Sequence, residues 1–117
     1  MNPMTDKEET KDGVVETFHK NGQLESRGNY KDGKEDGLWE TFFLSNNNPF
    51  VLHGPINTRK NYKDGQQDGL WEGVHDNGKL WIRGNYKDGK IYGLYELFHE
   101  NGQLQEKGNI KDGELVE

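Results

Sequence analysis

The stretch YKDGQQDGLWEGVHDNG, Tyr62–Gly78, decides the fold, because close copies of it recur within the same chain. YKDGKEDGLWETFF begins at Tyr30, and YKDGKIYGLYELFHENG begins at Tyr86. The tripeptide KDG occurs at Lys11, Lys31, Lys63, Lys87 and Lys111, in steps of 20, 32, 24 and 24 residues. A fixed period of this size is the signature of a repeat array. The chain is therefore expected to consist of repeated units of 24 residues.

Two dipeptides in each unit predict tight turns. Asp-Gly belongs to every KDG, and Asn-Gly recurs at Asn21–Gly22, Asn77–Gly78 and Asn101–Gly102. Both dipeptides suit two-residue hairpin loops with positive φ. Each unit is therefore predicted to contain two antiparallel strands and two tight turns.

A two-residue loop at Asn77–Gly78 predicts a register in which an acid faces a base and an aromatic residue faces a glycine. The predicted pairs are Asp76–Lys79, Glu72–Arg83 and Trp71–Gly84 in the third unit, Glu16–Arg27 and Val15–Gly28 in the first, and Glu96–Lys107 and Tyr95–Gly108 in the last. Glu40 is expected to face Arg59. Opposite charges across a ladder contribute roughly 0.2 to 1 kcal/mol, and an aromatic ring fills the space above a cross-strand glycine. The agreement between units supports this register.

Pairing outward from Asp88–Gly89 places Tyr95 opposite Ile82 and predicts one continuous sheet with two different faces. We name the faces after their central rows. The tryptophan face is predicted to carry Trp39, Trp71, Tyr95, His19, Phe43, His75, His99, Leu24, Leu80, Leu104, Tyr30 and Tyr86. The glutamate face is predicted to carry Glu16, Glu40, Glu72, Glu96 and their basic partners, with Leu38, Leu70, Leu94, Phe18, Phe42, Val74, Phe98 and Trp81.

The second unit departs from the pattern. FFLSNNNPFVLHGPIN replaces the Asn-Gly turn, and Lys60 stands where other units have glycine. This long hairpin tip either caps the sheet or projects as a binding loop. Capping is favoured, because exposed apolar tips are costly in solution. The domain plan is a flexible tail at 1–11 and a repeat domain at 12–117, with units at about 12–30, 31–62 (insertion 45–57), 63–86 and 87–110 and a partial cap at 111–117.

The unit YKDGxxxGLWExxxxNGxLxxxGN resembles the MORN repeat in its bacterial variant, over residues 12–117. The resemblance implies an all-β fold, an elongated single-layer antiparallel sheet of tandem hairpins with about 8–9 strands. It also implies binding or scaffolding rather than catalysis. Bacterial proteins with this variant are often labelled antitoxins or immunity partners of secreted toxins. Eukaryotic MORN proteins are linked to membranes, phosphoinositides and cytoskeletal scaffolds.

Composition narrows the function further. Only 29% of the 117 residues are hydrophobic, so a thick two-layer core is not expected. There are no cysteines, and therefore no disulfides or thiol chemistry. A net charge of −6 opposes binding to nucleic acid or anionic lipid and favours a basic protein partner. No apolar run is long enough to cross a bilayer, and MNPMTDKEETK lacks the features of a secretory signal, so a cytosolic location is expected.

The chemically active side chains have structural explanations. His19, His75 and His99 are repeat equivalents, and neighbouring ones would lie roughly 9 to 10 Å apart, too far to share one zinc ion. DGQQDG has His75 where a calcium loop needs glutamate. The glutamate column has basic partners across the ladder. The chain is therefore expected to be no enzyme, with no metal and no cofactor.

A single-layer sheet can shelter only one face unless it curls, dimerises or binds something. The candidate partner-binding residues are Trp81, Phe18, Phe42 and Phe98 on the glutamate face and Pro49, Phe50 and Leu52 in the long tip. The residues given structural roles are Trp39, Trp71, Tyr95, Gly28, Gly84, Gly108, Glu72 and Arg83. The expected function is a non-catalytic antitoxin or immunity protein that neutralises a basic toxin. The alternative is a scaffold or membrane-associated module that self-assembles, for instance as a homodimer through its sheet edges, or binds lipid headgroups.

Overall fold

The computed structural model describes residues 12–48 and 50–116, which form one open antiparallel sheet. Its principal extents are 57 × 41 × 16 Å. The all-β, elongated, single-layer prediction is confirmed. The predicted tail at 1–11 and the candidate Pro49 lie outside the described residues. The described part contains no helix, so none there is long and apolar enough to cross a membrane.

Twelve strands make up the sheet, nine of them along a continuous path. They are β1 (Gly13–Phe18), β2 (Leu24–Lys31), β3 (Lys34–Glu35), β4 (Gly37–Phe42), β5 (Ile56–Lys63), β6 (Gln66–Gln67), β7 (Gly69–Val74), β8 (Leu80–Lys87), β9 (Lys90–Ile91), β10 (Gly93–Phe98), β11 (Leu104–Lys111) and β12 (Glu114–Val116). The spatial order is β1-β2-β4-β5-β7-β8-β10-β11-β12. The two-residue strands β3, β6 and β9 pair with β2, β5 and β8 beside the KDG turns.

Four of the five KDG tripeptides form the predicted turns, whereas Gly13 of the KDG at Lys11 begins β1. In the turn after Lys31, Asp32 has φ 54° and Gly33 has φ 80°, so both central residues are left-handed. Lys31 pairs directly with Lys34 across this two-residue loop. Positive φ at both positions defines the turn type whose twist matches that of antiparallel strands. The same φ values recur at the aspartate and glycine of the three later KDG turns.

A bulge follows each of the first three KDG turns and shifts the register beyond it. Pairing outward from Asp88–Gly89 predicts Tyr95 opposite Ile82, and this prediction is wrong, because Leu97 faces Ile82. The strand returning from the turn carries two more residues than its partner, and this interruption separates β9 from β10. Because this shift is an even number of residues, it does not move any side chain to the opposite face of the sheet.

The Asn-Gly turns are one residue longer than predicted. The amide of His75 donates to the carbonyl of Lys79 (2.8 Å), and the amide of Gly78 donates to the carbonyl of His75 (2.9 Å). The loop therefore has three residues with a left-handed glycine, and the predicted Asp76–Lys79 pair is wrong. A second β-bulge then lies between the Val74–Leu80 and Gly73–Ile82 pairs. It restores the predicted pairs farther along the strands.

The predicted mid-strand pairs are confirmed. They are Trp71–Gly84, Glu72–Arg83, Glu16–Arg27, Val15–Gly28, Glu96–Lys107, Tyr95–Gly108 and Glu40–Arg59. The longer loop and the bulge each shift the pairing by one residue, in opposite directions. The register at the strand centres is therefore right, although the loop from which it was counted is not.

The faces predicted for the residues between the Asn-Gly turn and this second bulge are wrong. Trp81 is the residue inserted by the bulge, and its ring lies 2.9 Å from where a Cβ of Gly73 would stand. Gly73 is two residues after Trp71, so Trp81 lies on the tryptophan face and not beside the phenylalanines. Leu24, Leu80 and Leu104 pair with Phe18, Val74 and Phe98 and belong to the glutamate face.

Candidate protein-binding site

The long tip of the second unit folds back onto the first unit through one buried side chain. Gln23 is 3% exposed, and its Nε2 donates to the carbonyls of Ser45 (3.1 Å) and Asn48 (3.4 Å). Its Oε1 accepts from the amide of Ser45 (2.8 Å). A buried amide with its donors and acceptor used fixes geometry as well as energy. Sequence reasoning missed Gln23, because the same residue type at Gln103 follows an identical Asn-Gly and is exposed.

Apolar contacts complete this attachment. The ring of Phe42 stacks on the imidazole of His53, with centroids 4.1 Å apart. The amide of Leu24 donates to the carbonyl of Leu52 (2.9 Å), and the amide of Phe43 donates to the carbonyl of Pro55 (2.9 Å). Leu24 and Phe42 are the only buried hydrophobic side chains in the described part of the chain. The tip thus covers the sheet there and supplies its best-packed region.

A hollow of about 310 Å³ lies between this tip and the glutamate face. We name it the loop cleft. Its apolar wall is formed by Leu24, Phe42, Leu52, Pro55 and Ile56, with His53 and Gly54, and its polar wall by Arg27, Glu40 and Arg59. The sequence could not predict the cleft, because its lining residues are spread widely along the chain, from Leu24 to Arg59.

The polar wall belongs to a charge ladder that crosses the glutamate face. Its members alternate in sign over eight strands: Glu16, Arg27, Glu40, Arg59, Glu72, Arg83, Glu96 and Lys107. Glu72 contacts Arg59 (3.7 Å) and Arg83 (3.5 Å). The pairs within hairpins follow from the predicted register, whereas the contacts between hairpins depend on the bulges. The ladder is neutral as a whole, so the negative charge of the chain lies elsewhere.

Part of the net negative charge lies along the edge formed by the KDG turns. The described residues of the KDG segments and their flanks include nine carboxylates against six lysines, an excess of three out of the net charge of −6: Asp12, Asp32, Glu35, Asp36, Asp64, Asp68, Asp88, Asp112 and Glu114 against Lys31, Lys34, Lys63, Lys87, Lys90 and Lys111. The loop cleft lies toward the opposite ends of the strands. The acidic edge and the cleft are thus separate features of the surface.

The structure brings some of the candidate partner-binding residues together and separates others. Phe50 is 93% exposed, Leu52 is 69% exposed, and Phe18 is 53% exposed. Both Leu52 and Phe18 adjoin Leu24. The carbonyl of Leu52 accepts a hydrogen bond from the amide of Leu24, and Phe18 pairs with Leu24 across the ladder. Phe42 is covered by the tip and is only 8% exposed, so it contributes only to the wall of the loop cleft. Trp81 lies on the other face, and Phe98 is half-buried near the far end of the sheet.

The tryptophan face is largely occupied by its own packing. The ring of Trp39 covers Gly28, where an added Cβ would lie 1.9 Å from it, and its indole donates to the carbonyl of Asn29 (3.2 Å). Trp39 also contacts the rings of Tyr30 and Tyr62 edge-on. These contacts fit the structural role predicted for Trp39 and Gly28.

Lys60 changes this pattern at the next row. It stands in the position of Gly28 and lies across the ladders from both Trp39 and Trp71. The indole N–H of Trp71 is buried without a hydrogen-bond partner among the described residues. Trp71 instead contacts Tyr86 edge-on and lies near Gly84. Trp39 packs its ring over Gly28. Trp71 has Lys60 instead of a glycine at that position, so it does not repeat this packing.

Tyr95 ends the aromatic row. It covers Gly108 and donates to a carboxylate oxygen of Glu106 (2.7 Å). This hydrogen bond, with smaller contributions from burial and from the charge of Glu106, raises the pKa of Tyr95 above its ordinary value of 10.0. The folded state holds the phenolic proton more tightly, so this stabilisation is present below pH 10.0 and is lost as pH rises through the raised pKa.

The repeated histidines connect neighbouring hairpins. Nε2 of His19 lies 3.0 Å from the carbonyl oxygen of Phe42, and Nε2 of His75 lies 2.8 Å from that of Phe98. Each imidazole therefore donates to the next unit. The residues that the structure describes contain no cluster of three or more side chains able to hold a metal ion.

A second hollow, of about 580 Å³, lies over the last two hairpins. It is lined by Arg83, Asn85, Leu94, Tyr95, Glu96, Lys107, Gly108, Asn109, Leu115 and Val116. These residues belong to regular repeats or to β12. The loop cleft, in contrast, is built by the one segment that departs from the repeat.

Comparison with known proteins identifies the repeat. The family model for the MORN repeat variant matches residues 11–32, 67–88 and 91–112, more than half of the chain. No curated protein matches the chain. A solved structure, titled crystal structure of accessory secretory protein 1,2 and 3 in Streptococcus pneumoniae, is 17% identical, with a TM-score of 0.44. The alignment covers 94% of this chain and 19% of that one, so this chain spans about a fifth of its length.

Proposed function

Since the chain belongs to the MORN repeat variant family, whose repeats are generally non-catalytic binding modules, we propose that it is an antitoxin or immunity protein. It acts in the cytosol by binding and neutralising a basic toxin. The observation that carries this proposal is the tip at 45–57, which holds Phe50 93% exposed, two residues before Leu52 in the wall of the loop cleft. A large apolar side chain kept in solvent on an ordered support is typical of a binding surface.

The proposed docking surface consists of Phe50, Leu52 and Phe18 with the loop cleft. Interface centres are enriched in aromatic residues and arginine and are surrounded by a polar rim. The cleft accepts a partner side chain between Leu52 and the row of Arg27, Glu40 and Arg59. Because Gln23 ties the tip to the sheet, little conformational entropy is lost on binding.

The acidic KDG edge has a separate role in this proposal. A net charge of −6 attracts a basic partner over distance and raises its association rate. The neutral charge ladder contributes orientation rather than net attraction. We therefore expect salt to slow association more than it speeds dissociation.

The first experiment is co-purification with the product of the neighbouring gene. We expect a stable complex and expect co-expression to relieve the toxicity of that product. If the product is harmless alone and does not bind the purified chain, the antitoxin proposal is wrong.

A pair of variants then tests the docking surface. Phe50→Ala with Leu52→Ala is expected to weaken binding by at least about 30-fold, because two apolar anchors are lost. Both side chains are exposed, so the fold is retained. Leu70→Ala with Leu94→Ala removes two exposed side chains of the same face away from the tip and is expected to bind normally. Weakening by the control pair alone would move the docking surface to the regular repeats.

The alternative is a scaffold or membrane-associated module that binds lipid headgroups. Flotation with anionic liposomes at low salt separates the two functions. The acidic surface predicts no flotation. Flotation that high salt abolishes would favour the membrane function.

A further inference from the structure

Both edges of the sheet are open over most of their length. Within the described ranges, β1 pairs only with β2, and β12 covers β11 only from Asn109 to Lys111. Apolar side chains of the edge strand β1 are exposed: Val14 is 60% exposed and Phe18 is 53% exposed. An uncovered strand edge readily pairs with another strand.

The hydrogen bonds between hairpins leave complementary groups at the two edges. His19 and His75 each donate to a carbonyl at the end of the next unit's first strand, that of Phe42 or Phe98. His99 has the same position in the last complete hairpin, and its exposed imidazole has no such acceptor in the described part of the chain. The carbonyl equivalent to those of Phe42 and Phe98 is that of Phe18, on the opposite edge.

The charge ladder ends in complementary charges. Inside the sheet, the base of one hairpin lies opposite the acid of the next, as in the Arg27–Glu40, Arg59–Glu72 and Arg83–Glu96 pairs. Lys107 is the base at one end of the ladder, and Glu16 is the acid at the other end. Among the residues that the structure describes, each has a partner on its inner side only.

We propose that β1 of a second copy of this chain pairs with β11, continuing the repeat across the boundary. The register of β2 and β4 then places Glu16 of the second copy opposite Lys107 and the carbonyl of Phe18 within reach of His99. β12 covers β11 at Asn109–Lys111 and does not block this pairing, because β4 pairs with β2 only at Ser26 and Arg27, whose equivalents Glu106 and Lys107 lie outside that range. The two edges differ, so the contact is heterologous and copies add end to end.

The assembly shares one residue, Phe18, with the proposed docking surface. Phe50, Leu52 and the loop cleft are not part of the edge-to-edge pairing, so an end-to-end array would display one cleft per copy. The substitutions at Phe50 and Leu52 leave Glu16 and Lys107 unchanged, and an exchange of charge at those two positions leaves the tip unchanged. Failure of one proposal is therefore distinguishable from failure of the other.

A charge exchange between two variants tests the proposal. Analytical ultracentrifugation of the unaltered chain at low salt is expected to show mass that increases with concentration. Glu16→Lys alone places lysine against Lys107, and Lys107→Glu alone places glutamate against Glu16. Each variant alone is expected to associate about tenfold more weakly, because like charges lie directly opposite each other.

An equimolar mixture of the two variants is expected to recover association, since every contact between unlike copies then joins opposite charges. Recovery also shows that both variants are folded. Glu35→Lys makes the same change of charge as Glu16→Lys but lies in β3, away from β1 and β11. This variant is expected to associate like the unaltered chain. An unaltered chain that stays monomeric, a closed dimer that does not grow, or a mixture that stays dissociated would each overturn the proposal.

Discussion

Gly28 and Gly84 occupy the same position of the repeat but have different surroundings. A Cβ on Gly28 would lie 1.9 Å from the ring of Trp39, whereas a Cβ on Gly84 would meet Tyr95 and Trp71 at 3.6 and 3.8 Å. Trp39 lies between Gly28 on β2 and Lys60 on β5, and its ring covers Gly28. Trp71 has Lys60 of β5 at the position where Trp39 has Gly28. The glycine column is predictable from sequence. Which glycine a ring covers depends on the neighbouring strand.

These surroundings predict unequal effects of the same substitution. Gly28→Ala is expected to destabilise the fold by about 1 to 3 kcal/mol, because the methyl group displaces a packed indole. Gly84→Ala is expected to be neutral or to stabilise by up to about 1 kcal/mol, since it limits the unfolded chain without a clash. Urea unfolding followed by tryptophan fluorescence measures both. Equal destabilisation by the two variants would contradict the different packing of Trp39 and Trp71.

At the scale of elements, the turns show how far sequence reasoning reaches. The φ values of the KDG turns follow from Asp-Gly, because that dipeptide suits two left-handed residues. Asn-Gly fixes a left-handed glycine but not the loop length, and the three-residue loop with its bulge reversed the faces of Trp81 and Leu80. Glu72–Arg83 was predicted correctly because the two deviations offset one another. Bulges depend on how adjacent strands twist, and a dipeptide does not encode that.

The attachment of the tip is also a property of elements, and Gln23 tests it. Gln23→Ala is expected to destabilise by about 1 to 3 kcal/mol, because it removes a buried amide and its three part-buried hydrogen bonds to the backbone of Ser45 and Asn48. Limited proteolysis should then cut within 45–57 much faster than in the unaltered chain. Gln103→Ala, at the equivalent exposed position, is the matched control and should change neither stability nor cleavage. Unchanged cleavage in Gln23→Ala would mean that the tip is held by its apolar contacts alone.

At the scale of the whole molecule, the sheet is 16 Å in its smallest extent and has little core. Stability in such an array is approximately a sum over units and their contacts with neighbours. The described buried hydrophobic residues, Leu24 and Phe42, both lie beneath the tip. Regular units farther along have half-buried rows and the partly exposed ladder, whose pairs contribute roughly 0.2 to 1 kcal/mol each.

This uneven packing predicts a gradient in local unfolding. Backbone amides in β2 and β4 are expected to exchange with solvent deuterium at least about tenfold more slowly than those in β10 and β11, because their opening exposes the best-packed residues. Peptide-level exchange read by mass spectrometry at low protein concentration measures this. Uniform protection along the chain would mean that the sheet opens as one cooperative unit. Protection of β11 that rises with protein concentration would instead support end-to-end pairing.

The sequence by itself determined the repeat, the single-layer antiparallel sheet, the left-handed turn glycines and the pairing at the strand centres. These features arise from contacts close in sequence, and the repeat presents them several times, so a pattern in Tyr62–Gly78 is enough to predict them. Only the tertiary structure decided the face of Trp81, the burial of Gln23 and Phe42 and the existence of the loop cleft. Those depend on where a bulge shifts a strand and on how an irregular segment settles on a distant hairpin, and both are set by packing.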